Sequence, residues 1–496
     1  MKQSQLIAKN ILASGGATAI AGLLQLAIII IVARNVSVAD FGAYSFMLAF
    51  SFVSFRIADG GLSIILTRDL AIEPTKIQEV LGATLGLAWV MCLAASLLMI
   101  AVIPFFHFSR GLSLLVALMG LEGLTQFIGG CWGAVMRSQE DYENNALGFV
   151  LHKMVALGLV VAAMMLRYGL AGVVAAHLTG SLVQWGFYRW KVLHDHGRVR
   201  MRLAPALWKY LLRESIPVGA ANAVRIFAEQ ADVMILTLMA GATAVGLFSG
   251  PFKIAAGLRF LPQALVLPLI PFYSRSAVGD GERAAFREAY ERSVKTFVLM
   301  SFPVAILFAL FPDVLTVGLL GGGYHAAAPA MRLLSVGIWL VFLSTPFPFL
   351  LTALNRQRFL FISSSAALVV RVVLDLVLVR YFNFLGPCIA LMVSESLVLA
   401  AWIGGVWEAG FPLNSFRLFW RPGVASLVMG ALLYLLHPQS LLTLAPLTLA
   451  GGAIYLFIVV KLGGVSAAEM GLLRESADFL RPWLAQRLGQ LRGKAL

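Results

Sequence analysis

About fourteen runs of roughly 20 apolar residues divide this chain, and they leave it few ways to fold. They lie near 11–33, 41–58, 81–103, 112–135, 146–166, 170–190, 214–240 and 244–272, then near 294–312, 329–353, 359–380, 385–407, 422–437 and 443–463. In lipid no water satisfies the backbone, so each run must bond internally as a helix. The expectation is an all-α polytopic membrane helical bundle of about 14 transmembrane helices. Only 12% of residues are charged, against roughly 25% in a soluble domain. The first run is too long for the apolar part of a cleaved signal peptide and reads as a retained span. Pro346 and Pro348 should bend the tenth run.

Lys and Arg are placed unevenly. They crowd the connections 189–213 and 275–295, whereas the opposite side holds little beyond Arg34, Arg110, Arg167 and Arg380. The positive-inside rule then puts both termini in the cytoplasm. It also accounts for the net charge of +14 without a nucleic-acid partner. The segments 62–79 and 281–293 read as interfacial amphipathic helices, and 464–496 as a cytoplasmic amphipathic tail. The longest outer connection, 313–328, is apolar and glycine-rich, too short for a catalytic domain.

The chain contains itself twice. FGAYS at 41–45 parallels VGLFS at 245–249, MRSQ at 136–139 parallels LNRQ at 354–357, and RYGLAG at 167–172 parallels RYFNFLG at 380–386. Residues 1–200 and 205–408 are thus read as two pseudo-symmetric six-helix lobes with a site between them, and 411–463 as an additional transmembrane helix pair.

Charge inside the spans marks the candidate site. Arg56, Lys153, Arg225, Lys253, Arg259 and Arg371 lie within runs that lipid would penalise, while Arg332 is close enough to an interface to snorkel. One turn away, Glu229 is the expected partner of Arg225, and Asp375 that of Arg371. The others have no local partner, and cations facing a cavity suit a phosphate-bearing ligand. Glu229, Asp232 and Asp375 are candidates to bind a driving H⁺ or Na⁺, with His152 and His177 as alternatives.

Other chemistries find no support. Cys92, Cys131 and Cys388 stand singly in apolar runs, so neither a disulfide framework nor metal spacing is expected. No phosphate-binding loop or nucleophile elbow is present. The expectation is no metal, no cofactor, no catalytic residue and no enzymatic activity.

NVSVADFGAYSFMLAF followed by IADGGLSIILTRDLA, then ADVMILTLMAGATAVGLFS and LLGGGYHAAAPAMRLLS, resemble the Wzx-type polysaccharide flippases. These belong to the multidrug/oligosaccharidyl-lipid/polysaccharide (MOP) exporter superfamily. The resemblance covers nearly the whole chain. It implies a two-lobed bundle in a bacterial inner membrane that moves undecaprenyl-diphosphate-linked oligosaccharide by alternating access, serving O-antigen, capsule or exopolysaccharide. It also implies membrane lipids and polysaccharide polymerase or chain-length machinery as partners. The alternatives are a lipid II flippase, a cation-coupled drug exporter, or, in another class, a membrane polysaccharide polymerase or ligase.

Overall fold

The computed structural model describes residues 3–259, 262, 283–412 and 415–464; the side chains of 3–14, 221–225, 228, 283–285, 289 and 415–417 fall outside the description. The tail 465–496 and the end of the eighth apolar run, 263–272, likewise lie outside it. Among the described residues there is no strand.

Helices follow the apolar runs closely. α1 spans Gln3–Asn35, and Ser37 caps α2 (Val38–Asp59), its Oγ accepting the Asp40 N–H at 3.1 Å. The chain then reverses through Gly60 and Gly61, both in the left-handed region that glycine tolerates. The short α3 (Leu62–Ile72) turns Leu62, Ile65, Leu66 and Leu70 inward, one apolar stripe at helical spacing. α4 (Ile77–Val102), α5 (Arg110–Ser138), α6 (Tyr142–Met165) and α7 (Gly169–His196) complete the first half.

α8 (Pro205–Gly257) is broken at Gly241, whose φ of 79° and ψ of 179° turn the chain between the seventh and eighth runs. Beyond it come α9 (Arg283–Leu310), α10 (Pro312–Leu320), α11 (Ala328–Ser344) and α12 (Phe347–Ala353). α13 (Gln357–Phe382), α14 (Gly386–Glu408), α15 (Ser415–Leu435) and α16 (Leu441–Lys461) finish the bundle. Among the described residues twelve stretches are long and apolar enough to cross a membrane; one of these, Gln357–Glu408, holds both α13 and α14. Outward faces carry Trp89, Leu97, Phe361 and Leu442, as lipid contact requires.

One expectation changes. The 281–293 segment is no separate surface helix: from Arg283 onward it is the start of α9, and Phe286 and Tyr290 are buried, their rings against Phe411 and Phe347. The 313–328 connection is built as α10 followed by a 3-10 turn, Gly322–Ala327. The helix is interrupted between Ser344 and Phe347, where the tenth run was expected to bend.

α2 and α8 join the two halves by backbone contact. A Cβ on Gly42 would fall 1.8 Å from the Ala242 carbonyl oxygen, and one on Gly246 would fall 2.1 Å from the Val38 carbonyl oxygen. Gly42 and Gly246 are the equivalent glycines of FGAYS and VGLFS, so this contact is reciprocal. At the other end of the same helices, Gly219 packs on Gly60, where a Cβ would meet the Gly60 oxygen at 2.2 Å. Arg68 adds a polar latch there, donating to Glu214 at 3.1 Å and to the Tyr210 hydroxyl at 3.1 Å. Hydrogen bonds to Asp69 and then Glu214 raise its pKa above the usual guanidinium value.

Candidate functional site

A cavity of about 690 Å³ opens among α8, α11, α12, α13 and α14. A second, of about 350 Å³, adjoins it and shares Glu229, Arg259, Val341, Arg371 and Glu395. Every lining residue comes from 205–408, the stretch expected to form the second lobe. Its wall combines hydroxyls (Ser344, Thr345, Ser364, Ser394) with Phe349 and Trp402. The interruption between α11 and α12 lies on this wall, with Thr345 and Pro348 both lining the cavity.

The ion pair on this wall is not the local one. Arg371 Nε donates to Asp232 Oδ1 at 3.0 Å and Nη2 donates to Oδ2, a bidentate fork between α13 and α8. The side chains are 14% and 2% exposed. Asp375, one turn from Arg371, is fully buried and neither of its oxygens accepts a hydrogen bond. The sequence pairing of Arg371 with Asp375 is therefore replaced by a pairing across the bundle.

The other candidate cations are dispersed. Arg259 lines the cavity and has no ion-pair partner among the described residues. Arg56 is exposed and rests over Phe52 and Phe55, 5.3 and 5.2 Å from the ring centroids. Lys153 on α6 and Lys253 on α8 are half-buried, line neither cavity and make no ion pair among the described residues. The Arg225 side chain lies outside the description, and its expected pairing with Glu229 lies there with it. The cavity is thus mixed in charge, with Glu229 and Glu395 facing Arg259 and the neutralised Arg371.

Sequence reading found no metal-ligand set, yet α5, α6 and α7 bring three such residues together. Glu122, His152 and His177 can each offer one atom within 4.8 Å of the others, and all three are buried. Their positions share no sequence spacing because each comes from a different helix. Glu122 accepts from Gln126 and, at 3.3 Å, from Ser51.

A family model described as polysaccharide biosynthesis protein matches residues 31–329. No curated protein matches the chain. Among solved structures, the lipid II flippase MurJ in an inward closed conformation is similar, with a TM-score of 0.73 and 15% identity over 91% of this chain and 98% of MurJ. An inward-facing multidrug resistance MATE family transporter of the MOP superfamily is similar with a TM-score of 0.63 and 14% identity, over 79% of this chain and 94% of the transporter. A MOP superfamily transporter from Pyrococcus furiosus Vc1, described as having a binding pocket of reverse polarity, gives 0.52 and 17% over 83% and 98%. On this match and this fold, the chain is a multi-pass membrane protein belonging to the polysaccharide biosynthesis protein family, with the fold seen in MurJ and the MATE transporters.

Proposed function

We propose that this protein is a flippase that carries a polyprenyl-diphosphate-linked oligosaccharide across a bacterial inner membrane, both termini being cytoplasmic. The family match over residues 31–329, on a fold shared with a lipid II flippase, is the observation that carries the reading. The second-lobe cavity supports it. Arg259 offers an unengaged guanidinium for a diphosphate, and the hydroxyls with Trp402 suit a sugar's polar edge and apolar face. The cargo would then serve O-antigen, capsule or exopolysaccharide, beside polymerase and chain-length machinery.

Coupling to H⁺ or Na⁺ falls to the Asp232–Arg371–Asp375 group. Arg371 already fills the Asp232 carboxylate, so Asp375 is the open position for a driving cation. No bond is made or broken in this reading, so the protein acts as a transporter and not as an enzyme.

Gene deletion followed by sidedness analysis of polyprenyl-linked sugars tests the proposal. Units trapped on the cytoplasmic face support flipping; unpolymerised units outside would point instead to a polymerase or ligase. The MurJ likeness favours one second reading, transport of lipid II. Restored growth of a strain depleted of its lipid II flippase would establish it.

A further inference from the structure

We infer that Glu122, His152 and His177 form a binding site for a divalent transition-metal ion of the zinc type, inside the first lobe and away from the cargo cavity. His152 and His177 are 0% and 1% exposed and Glu122 is 4% exposed. Nε2 of His152 and Nδ1 of His177 are buried without a hydrogen-bond partner, which proteins rarely leave unanswered.

The opposite nitrogen of each ring is held. His152 Nδ1 lies 3.2 Å from Gln184 Oε1, an acceptor, so Nδ1 carries the proton and Nε2 turns its lone pair to the cluster. His177 Nε2 lies 2.8 Å from the Tyr44 hydroxyl. With Nε2 donating to that hydroxyl, Nδ1 is left as the ligand. Gln126 and Ser51 hold the Glu122 carboxylate in the same manner. Outer partners of this kind fix the tautomer and direction of metal ligands.

The spacing is close to what an ion needs. His152 Nε2 and Glu122 Oε1 are 3.8 Å apart. Around a tetrahedral ion with bonds of ~2.0–2.1 Å, two ligand atoms stand roughly 3.3–3.4 Å apart. Small side-chain adjustments close that gap. Two imidazoles and one carboxylate suit zinc and its neighbours better than calcium or magnesium, which take oxygen. Lys153 follows His152 on α6, is half-buried and makes no ion pair among the described residues, so its ammonium is a charge that the ion would have to tolerate. The bound ion would tie α5, α6 and α7 together and, through Tyr44, stiffen α2.

Titration of the full-length protein in detergent, stripped with a chelator and loaded with Co²⁺ as the spectroscopic probe, decides the matter. One equivalent of Co²⁺ should give visible ligand-field absorption that Zn²⁺ displaces. The band should vanish in His152→Ala and His177→Ala, and survive in the double variant His194→Ala/His196→Ala, which removes one exposed and one partly exposed histidine outside the cluster. Absence of the band, or its survival in both cluster variants, would overturn the inference. Should those variants fold poorly, Gln184→Leu decides: affinity should fall about 10–100-fold, and unchanged affinity would overturn it. These results are independent of the cargo, so they stand or fall apart from the flippase reading.

Discussion

Arg371 holds both carboxylate oxygens of Asp232 although 139 positions separate them in the chain. The pair staples α13 to α8 on the wall of the larger cavity. It also settles which carboxylate is spoken for, since Asp375 lies next to the fork with no donor of its own.

Removing one partner should cost more than removing both. Arg371→Met leaves Asp232 buried without its cation, and thermal unfolding in detergent should report a loss of ~3–5 kcal/mol. Asp232→Leu combined with Arg371→Met should recover most of it. Simple additivity of the two single changes would show that the residues are not coupled.

Charge reversal separates the cavity arginine from the surface one. Arg259→Glu should lower surface glycan about 10- to 100-fold, the worth of one charge-assisted contact of ~1.5–3 kcal/mol, with membrane insertion unchanged. Arg56→Glu, at a side chain stacked on Phe52 and Phe55, should leave display near normal. Equal effects of the two changes would remove the cavity from the cargo path.

Asp375→Asn should make transport into proteoliposomes insensitive to an imposed proton or sodium gradient. The neutral amide keeps the shape of the side chain but not a site for a cation. A gradient response equal to that of the unaltered protein would take Asp375 out of the coupling role.

Gly42→Ala should destabilise the protein by about 1–3 kcal/mol and slow transport, because its Cβ collides with backbone that cannot rotate away. Gly158→Ala is the control. Nothing lies within 4 Å of that added carbon, so it should be neutral or stabilise α6 by roughly 0.5–1 kcal/mol. Melting curves and a transport assay on both variants check the pair.

The spans were legible because lipid imposes one requirement on every residue of a run. α2, α5 and α13 each lie within a few residues of their apolar stretches. Even the turn at Gly241 showed as a gap between two runs. Amphipathicity misled at 281–293, since Phe286 and Tyr290 are buried with their rings against Phe411 and Phe347. Partnership was less legible. Asp375 is nearer to Arg371 in sequence, but Asp232 is nearer in space. The Glu122, His152 and His177 group is drawn from three helices, so no spacing rule would have found it. Unpaired Lys153 and Lys253 were visible as oddities, yet depth along a helix says nothing about which way a side chain faces.

The reciprocal seam of Gly42 and Gly246 has a mechanical result. A contact that maps onto itself when the halves are exchanged has no leading edge: parting Gly42 from Ala242 also parts Gly246 from Val38. That end of the molecule therefore releases in one event, like a snap. The opposite end is a second backbone seam, where Gly219 sits against both Gly60 and Gly61 beside the Arg68 latch, so it too must part before the two helices separate.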